Sequence, residues 1–335
     1  MSEHKIFKGK SILFISPVFF CYEAAIKNKL IELGADVTYI DDRPNNNFFT
    51  KGIIRVARNL LDDAISKHYA QVTNDIKDRE FDIVFLLNPE AMPLSFLEMC
   101  KSRWKKAFFV MYMWDSVQNR KNTLDYVPYC DRVLTFDKSD AAVYNFDFRP
   151  LFYLDLYSSI RQEAAPINYD VCFMGTVHSD RYSIVKEIKE WCDDNELRCY
   201  FYFYMQNKIS YYANKFIKNN GYPLIDEVSF SKLSASEITD VVRSSHAVLD
   251  IQHFKQTGLT MRTLETLGAG KKLITTNPDV REYDFYDRER VMVIDRSNPA
   301  AALNLDFFRE EDTKISDIIV SSYSIGNWLR EILNN

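Results

Sequence analysis

Short, continuous apolar runs alternate with amphipathic stretches along this chain, and the alternation starts twice. Residues 11–20 (SILFISPVFF) form the first run, of the kind expected for a strand buried on both faces of a sheet. A helical pattern follows over 22–33, with Ala25, Ile26, Leu30 and Leu33 on one side, and Gly34 stops it. Residues 37–40 read as a second strand, closed by Asp41-Asp42-Arg43-Pro44, which completes one β-α-β unit. The spacing then predicts a long helix over 52–79, a strand over 81–87 ending at Asn88-Pro89, and a helix near 93–103. Strands follow over 107–113, ending at Trp114-Asp115-Ser116, and over 132–136, before a helix that Ser139 would cap. Residues 151–154 close this half, and 155–168, with Ala164-Ala165-Pro166, read as a linker.

After the linker the pattern restarts. Strands are predicted over 169–174, 198–204, 247–251, 272–276 and 291–294, with helices over 181–193, 236–244, 260–267 and 323–333. Ser234 or Ser236 would cap the second of these helices, with Glu237 early in its first turn. Strands alternating with helices call for parallel sheets covered on both faces. The chain has 335 residues, whereas a single core stops growing near ~250–300. The expected fold is therefore α/β, with two tandem Rossmann-like domains facing across a cleft. Residues 1–160 would form the first domain and 166–315 the second, with the helix in 316–335 crossing back to the first. In such sheets ligands bind beyond the carboxyl ends of the strands.

Charge excludes some partners. The net charge is −5, and residues 166–335 carry all of the deficit. A nucleic-acid binder would show a basic footprint instead. Basic groups gather only at Lys101-Ser102-Arg103-Trp104-Lys105-Lys106, and at Lys51, Arg55 and Arg58 around Ile54. These are either solvated faces or peripheral contacts to anionic lipid headgroups. Cys21, Cys100, Cys130, Cys172, Cys192 and Cys199 are scattered singly, without zinc-ligand spacing, which fits a reducing compartment. The polar Met-Ser-Glu-His-Lys start carries no signal-peptide pattern, and no apolar run approaches the ~18 residues of a spanning helix. The expected location is the cytoplasm, with any membrane contact peripheral, on the inner face of the plasma membrane.

The most informative stretch is residues 256–277, QTGLTMRTLETLGAGKKLITTN. A strand ends near Asp250-Ile251, a loop with Thr257-Gly258 follows, and a helix begins at about Thr260. Its first amides lack intrahelical partners and its dipole is positive there, which makes an anion site. Gly258 would let the backbone approach a phosphate, and Arg262 in the first turn would pair with a diphosphate. Met261, Leu264 and Leu267 make the core stripe. Glu265 lies off it, beside Arg262 at i, i+3, where a carboxylate accepts ribose hydroxyls. The competing reading is an ordinary capped helix with a surface Arg–Glu pair.

This stretch resembles the donor-binding region of GT-B glycosyltransferases, most of all the CgeB-like and related group 1-like transferases of bacterial surface polysaccharides. Their Gly-Leu-Thr-x-Arg-x-x-Glu-x-Leu-x-x-Gly-x-Lys-x-Ile-x-Thr pattern is matched from Gly258 onward. The resemblance implies that Gly258, Leu259, Thr260 and Arg262 face the donor phosphates and Glu265 the ribose. A second match, YDVCFMGTVHSDR over 169–181, implies phosphate contacts from Gly175, Thr176 and Arg181. His178 either joins them or is merely exposed. The third match is the Trp-Asp-Ser of FVMYMWDSVQN, over 109–119. Asp115 is either the base that deprotonates an acceptor hydroxyl in an inverting reaction or the cap of the next turn. Trp114 either stacks on a sugar or belongs to the core. Asp250 and His253 either border the sugar pocket or end their strand. The loop at Pro17-Val18-Phe19 departs from the family in not being glycine-rich.

The resemblance implies a transferase that moves a sugar from a nucleoside-diphosphate-sugar, UDP-type favoured, to a glycan or lipid-linked glycan of a bacterial surface polymer. No Asp-x-Asp triplet occurs, so neither a metal nor a cofactor is expected. Walker A, Gly-x-Ser-x-Gly and Gly-x-Gly-x-x-Gly patterns are also missing from the sequence. Rival readings are a nucleotide-sugar epimerase or hydrolase of the same fold, and a non-catalytic polysaccharide-assembly protein.

Overall fold

A computed structural model describes residues 5–46, 58–163, 165–177, 180–218, 222–253, 257–309 and 314–334. The chain divides into two compact units, Met1–Leu151 with Ile325–Asn335, and Phe152–Ser324.

In the first unit six parallel strands run in the order β2-β1-β3-β4-β5-β6. They are β1 (Ser11–Ser16), β2 (Asp36–Asp41), β3 (Ile83–Leu87), β4 (Phe108–Met113), β5 (Arg132–Thr135) and β6 (Asp147–Phe148). Ile12 sits opposite Val37 on one side and Ile83 on the other. All of β3 is buried, which is why its sequence, IVFLL, is apolar without alternation. The helices Asp62–Asp75 and Leu94–Arg103 bring Ile65, Tyr69, Phe96 and Leu97 onto Leu13, Val84 and Met111. The long helix expected from 52 starts outside the described residues, and its described part is a 3-10 turn, Arg58–Leu61, followed by Asp62–Asp75. Asp137, not Ser139, caps the helix Lys138–Tyr144, because its carboxylate takes the amides of Ser139 and Asp140 at 2.9 and 3.2 Å.

The C-terminal helix Ile325–Leu333 belongs to this first unit. Trp328 is fully buried there, edge-on to Tyr112 at 4.8 Å and beside Phe85. Arg149 pairs with Glu331 at 2.8 Å.

The second unit has its own six parallel strands, in the order β12-β11-β10-β7-β8-β9. They are β7 (Tyr169–Thr176), β8 (Cys199–Tyr204), β9 (Val228–Ser229), β10 (Ser245–Asp250), β11 (Lys272–Thr275) and β12 (Val291–Val293). Counted from its first strand this is the 3-2-1-4-5-6 order of dinucleotide-binding sheets. The order reverses between β7 and β10. In the first unit it reverses between β1 and β3. These two places are where each sheet opens a crevice beyond its strand ends.

Two segments differ from expectation. Residues read as a linker include a helix, Asp155–Gln162, whose Tyr157 and Ile160 are buried. The second unit already begins at Phe152. In place of a strand at 151–154 there is one isolated bridge, Tyr153 to Ser324. The helix Lys208–Lys218 was not foreseen, because its aromatic residues continue the aromatic run of β8. The predicted cap at Ser234 does form, as a box in which Ser234 and Glu237 each accept the other's amide, at 3.2 and 2.7 Å.

Truncating Trp328 to alanine removes the side chain that seats the C-terminal helix on Tyr112. Its denaturant midpoint should fall by the equivalent of ~3–5 kcal/mol, measured by urea unfolding with circular dichroism.

Candidate functional site

At the sheet reversal of the second unit the polar residues converge. β7 ends at Gly175-Thr176 and β10 ends at Asp250, followed by Ile251 and Gln252. Gly175 leaves room for the Phe173 ring, which an added Cβ would meet at 2.7 Å. Arg181 opens the helix Arg181–Asp194. Its Nε donates to the Ile251 carbonyl at 2.8 Å and its Nη1 to Thr176 Oγ1 at 3.4 Å, so the side chain spans the reversal. Both partners are neutral oxygens. Among the described residues Arg181 forms no ion pair with a carboxylate. Burial pulls its pKa below the usual arginine range; Asp250 pushes back and the Arg296 charge adds to the lowering. An arginine nonetheless stays charged.

Arg296 was not singled out in the sequence. It follows β12 and folds back, donating from Nε and Nη2 to Asp180 at 3.0 and 2.8 Å, from Nη1 to Thr276 Oγ1 at 2.8 Å, and from Nη2 to the Gln252 carbonyl at 3.1 Å. Gln252 is buried, and among the described residues its Oε1 has no hydrogen-bond partner. A buried amide oxygen left so is costly, and ligand contact is one way to satisfy it.

The helix Met261–Gly268 starts beside these groups, with Thr260 as its N-cap. Thr260 Oγ1 accepts the Thr263 amide at 3.2 Å. Asp250 takes the hydroxyls of Thr260 and Thr263 at 2.5 and 2.7 Å. The carboxylate at the end of β10 thus ties down the start of the helix. Gly258 and Leu259, just ahead of it, are buried. Arg262 and Glu265 pair at 3.0 Å. Glu265 is only 5% exposed, so the pair is not the surface feature that the spacing suggested. The unforeseen helix Asp155–Gln162 covers that flank. Its Tyr157 lies beside the pair, and burial first, then the Glu265 charge, push the phenol pKa up. His253 is half-buried, and His178 lies outside the described residues.

In the first unit the corresponding strand ends carry a second polar network. Asp42 is wholly buried and accepts the amides of Glu90, Ala91 and Met92 at 2.6, 2.7 and 2.9 Å, and the Tyr69 hydroxyl at 3.0 Å. Burial pushes its carboxyl pKa up against the pull of those bonds. Glu90 is clasped by Arg43 at 2.6 Å and by Arg120 at 2.5 Å. Arg120 reaches Asp115 as well, at 3.2 Å. Asp115 also accepts the Ser116 amide and the Asn119 side chain, at 3.0 and 2.9 Å. Asp140, whose carboxylate takes the Val117 amide at 2.7 Å, has its pKa raised by burial, with Asp137 and Asp115 adding to it. Trp114 packs against Phe19 at 5.6 Å and near Tyr22. Among the described residues no three His, Cys, Asp or Glu side chains are grouped to hold a metal ion. No described helix is long and apolar enough to cross a membrane.

No protein-family model matches the sequence, and no curated protein matches it. Solved structures do. An α-glucosyltransferase in complex with UDP and a 13-mer DNA superposes with a TM-score of 0.59 at 12% identity, over 97% of this chain and 95% of that one. Anabaena HepE in complex with UDP and glucose gives 0.56 at 10% identity, over 96% and 98%. A UDP-N-acetylglucosamine 2-epimerase gives 0.50 at 12% identity, over 97% and 94%. With its two parallel six-stranded sheets, the chain has the GT-B fold.

Replacing Asp250 with alanine strands the Thr260 and Thr263 hydroxyls and frees the start of the helix. The expected loss is about 1–3 kcal/mol of stability, measured by denaturant titration, with faster amide exchange over 257–264.

Proposed function

We propose that the second unit grips the diphosphate of a nucleotide-sugar, UDP-type, at the carboxyl ends of β7 and β10, and that the protein is a glycosyltransferase. The observation that carries this is Arg181: a partly buried guanidinium, held at the sheet reversal by two neutral oxygens, with its charge left for an anion. A diphosphate matches it in charge and in hydrogen-bond geometry. Arg296 braces the same loop, and the amides from Gly258 to Thr260 precede the capped helix N-terminus. Arg262 is the second phosphate partner and Glu265 the ribose partner, the two orienting each other until the donor enters. Fixed positive charge at the diphosphate favours its departure as the sugar is transferred.

The acceptor in this reading is a glycan or lipid-linked glycan of a bacterial surface polymer, which rests on the resemblance of the stretch from Gly258 onward to the surface-polysaccharide transferases. Asp115 is the base of an inverting reaction. Arg120 and Asn119 hold its carboxylate in one orientation, which a base needs.

Calorimetric titration with UDP-sugars, UDP and uridine tests the donor site. Arg181→Ala should weaken UDP at least about tenfold, equivalent to ~1.4 kcal/mol, and leave uridine unchanged. Equal loss of both, or no binding of any nucleotide-sugar, would overturn the assignment. Asp115→Asn should keep donor affinity while transfer to a glycan acceptor is lost. An epimerase, the fold's other chemistry among the structures above, would instead convert the donor with no acceptor present.

A further inference from the structure

Among the described side chains of the helix Lys208–Lys218, KISYYANKFIK, only Tyr211 is buried in the second unit. Tyr211 is fully buried, with its hydroxyl donating to the Pro223 carbonyl at 2.9 Å and its ring against Tyr222 and Phe230. The side away from Tyr211 is apolar and open. Ile209 is 83% exposed, Tyr212 58% and Phe216 89%. Their i, i+3, i+7 spacing sets them in one stripe along the helix. Isolated apolar side chains at a surface are ordinary. A stripe of three large ones on an otherwise anchored helix has no role in the packing of this unit.

Charge identifies the occupant. The helix holds Lys208, Lys215 and Lys218 and no acidic residue. Lys208 and Lys215, seven residues apart, fall in one row that borders the stripe on the Tyr212 side. Lys215 donates to the Tyr211 hydroxyl at 3.1 Å and lies over that ring, while Lys208 is exposed. Apolar and aromatic side chains flanked by lysines, here Lys208 and Lys215 with no ion pair among the described residues, are the composition of a helix that lies in the headgroup region of an anionic bilayer. The basic run 101–106, which the sequence offered for this role, presents no exposed large apolar side chain. Lys101 is paired with Asp131 at 2.8 Å, and Trp104, the only large apolar residue between 101 and 106, is buried. Arg58 lies in a 3-10 turn, while Lys51 and Arg55 are outside the described residues.

We infer that the protein docks on anionic membranes through the Ile209–Tyr212–Phe216 face of this helix, with Lys208 and Lys215 at the phosphates. The inference goes beyond the donor reading and does not depend on it. The full-length protein should co-sediment with phosphatidylcholine vesicles containing phosphatidylglycerol and much less with phosphatidylcholine alone. Ile209→Asn with Phe216→Asn should reduce the partition coefficient roughly tenfold or more, and Lys208→Gln with Lys215→Gln several-fold. Since Ile209 and Phe216 are exposed and leave Tyr211 in place, thermal melting of the apolar double variant should not move, which separates lost docking from lost folding. No partition onto anionic vesicles, equal partition onto both lipids, or full binding by the apolar double variant would overturn the inference. So would a dimer in solution that the same variant dissociates without any vesicle binding, since the stripe would then be a protein interface.

Discussion

Burial of both faces of a parallel sheet leaves only the strand ends for polar chemistry. Each sheet here obeys that constraint. β3 is buried along its whole length, as is β11, and the polar groups that matter lie at or just past the last residue of a strand. Asp250, Thr176, Thr276 and Asp115 all sit at or just beyond carboxyl ends. Where the strand order reverses, neighbouring loops turn to opposite sides and a crevice opens. Arg181 fills that place in the second unit, tied to the ends of β7 and β10 together.

The two polar networks solve one problem in different ways. In the first unit Asp42 and Glu90 are satisfied inside the fold, Asp42 by three amides and Glu90 by two arginines. Removing one member would leave a buried charge uncompensated, so this network is rigid. In the second unit the cation Arg181 keeps neutral partners and the amide oxygen of Gln252 has none among the described residues. That difference in charge pairing separates the internal brace of the first unit from the donor site proposed for the second.

Much of the site could be read from local pattern. Thr260 before an apolar helix announced its cap, and Gly175-Thr176 announced the end of a strand. Arg262 and Glu265 were visible as an i, i+3 pair, but their burial was not, because the covering helix Asp155–Gln162 looked like a linker: it is short, and Ala164-Ala165-Pro166 follows it directly. Arg296 carries no local signal. It lies 116 residues from Asp180, its partner, and nothing in its own neighbourhood marks it as more than a surface residue after a strand.

The alternation of apolar runs and amphipathic stretches, together with the caps, already determined that this chain builds two parallel α/β sheets and where the chief loops fall. Those signals act within a few residues, through hydrogen bonding and side-chain periodicity. Only the tertiary structure decided that Arg181 spans β7 and β10, that Arg296 closes the same loop, that Glu265 is buried beneath Tyr157, and that Ile209, Tyr212 and Phe216 face water. Each of these depends on which distant segment packs against a residue. One helix was covered by a neighbour and another was left bare, and local periodicity is blind to that difference.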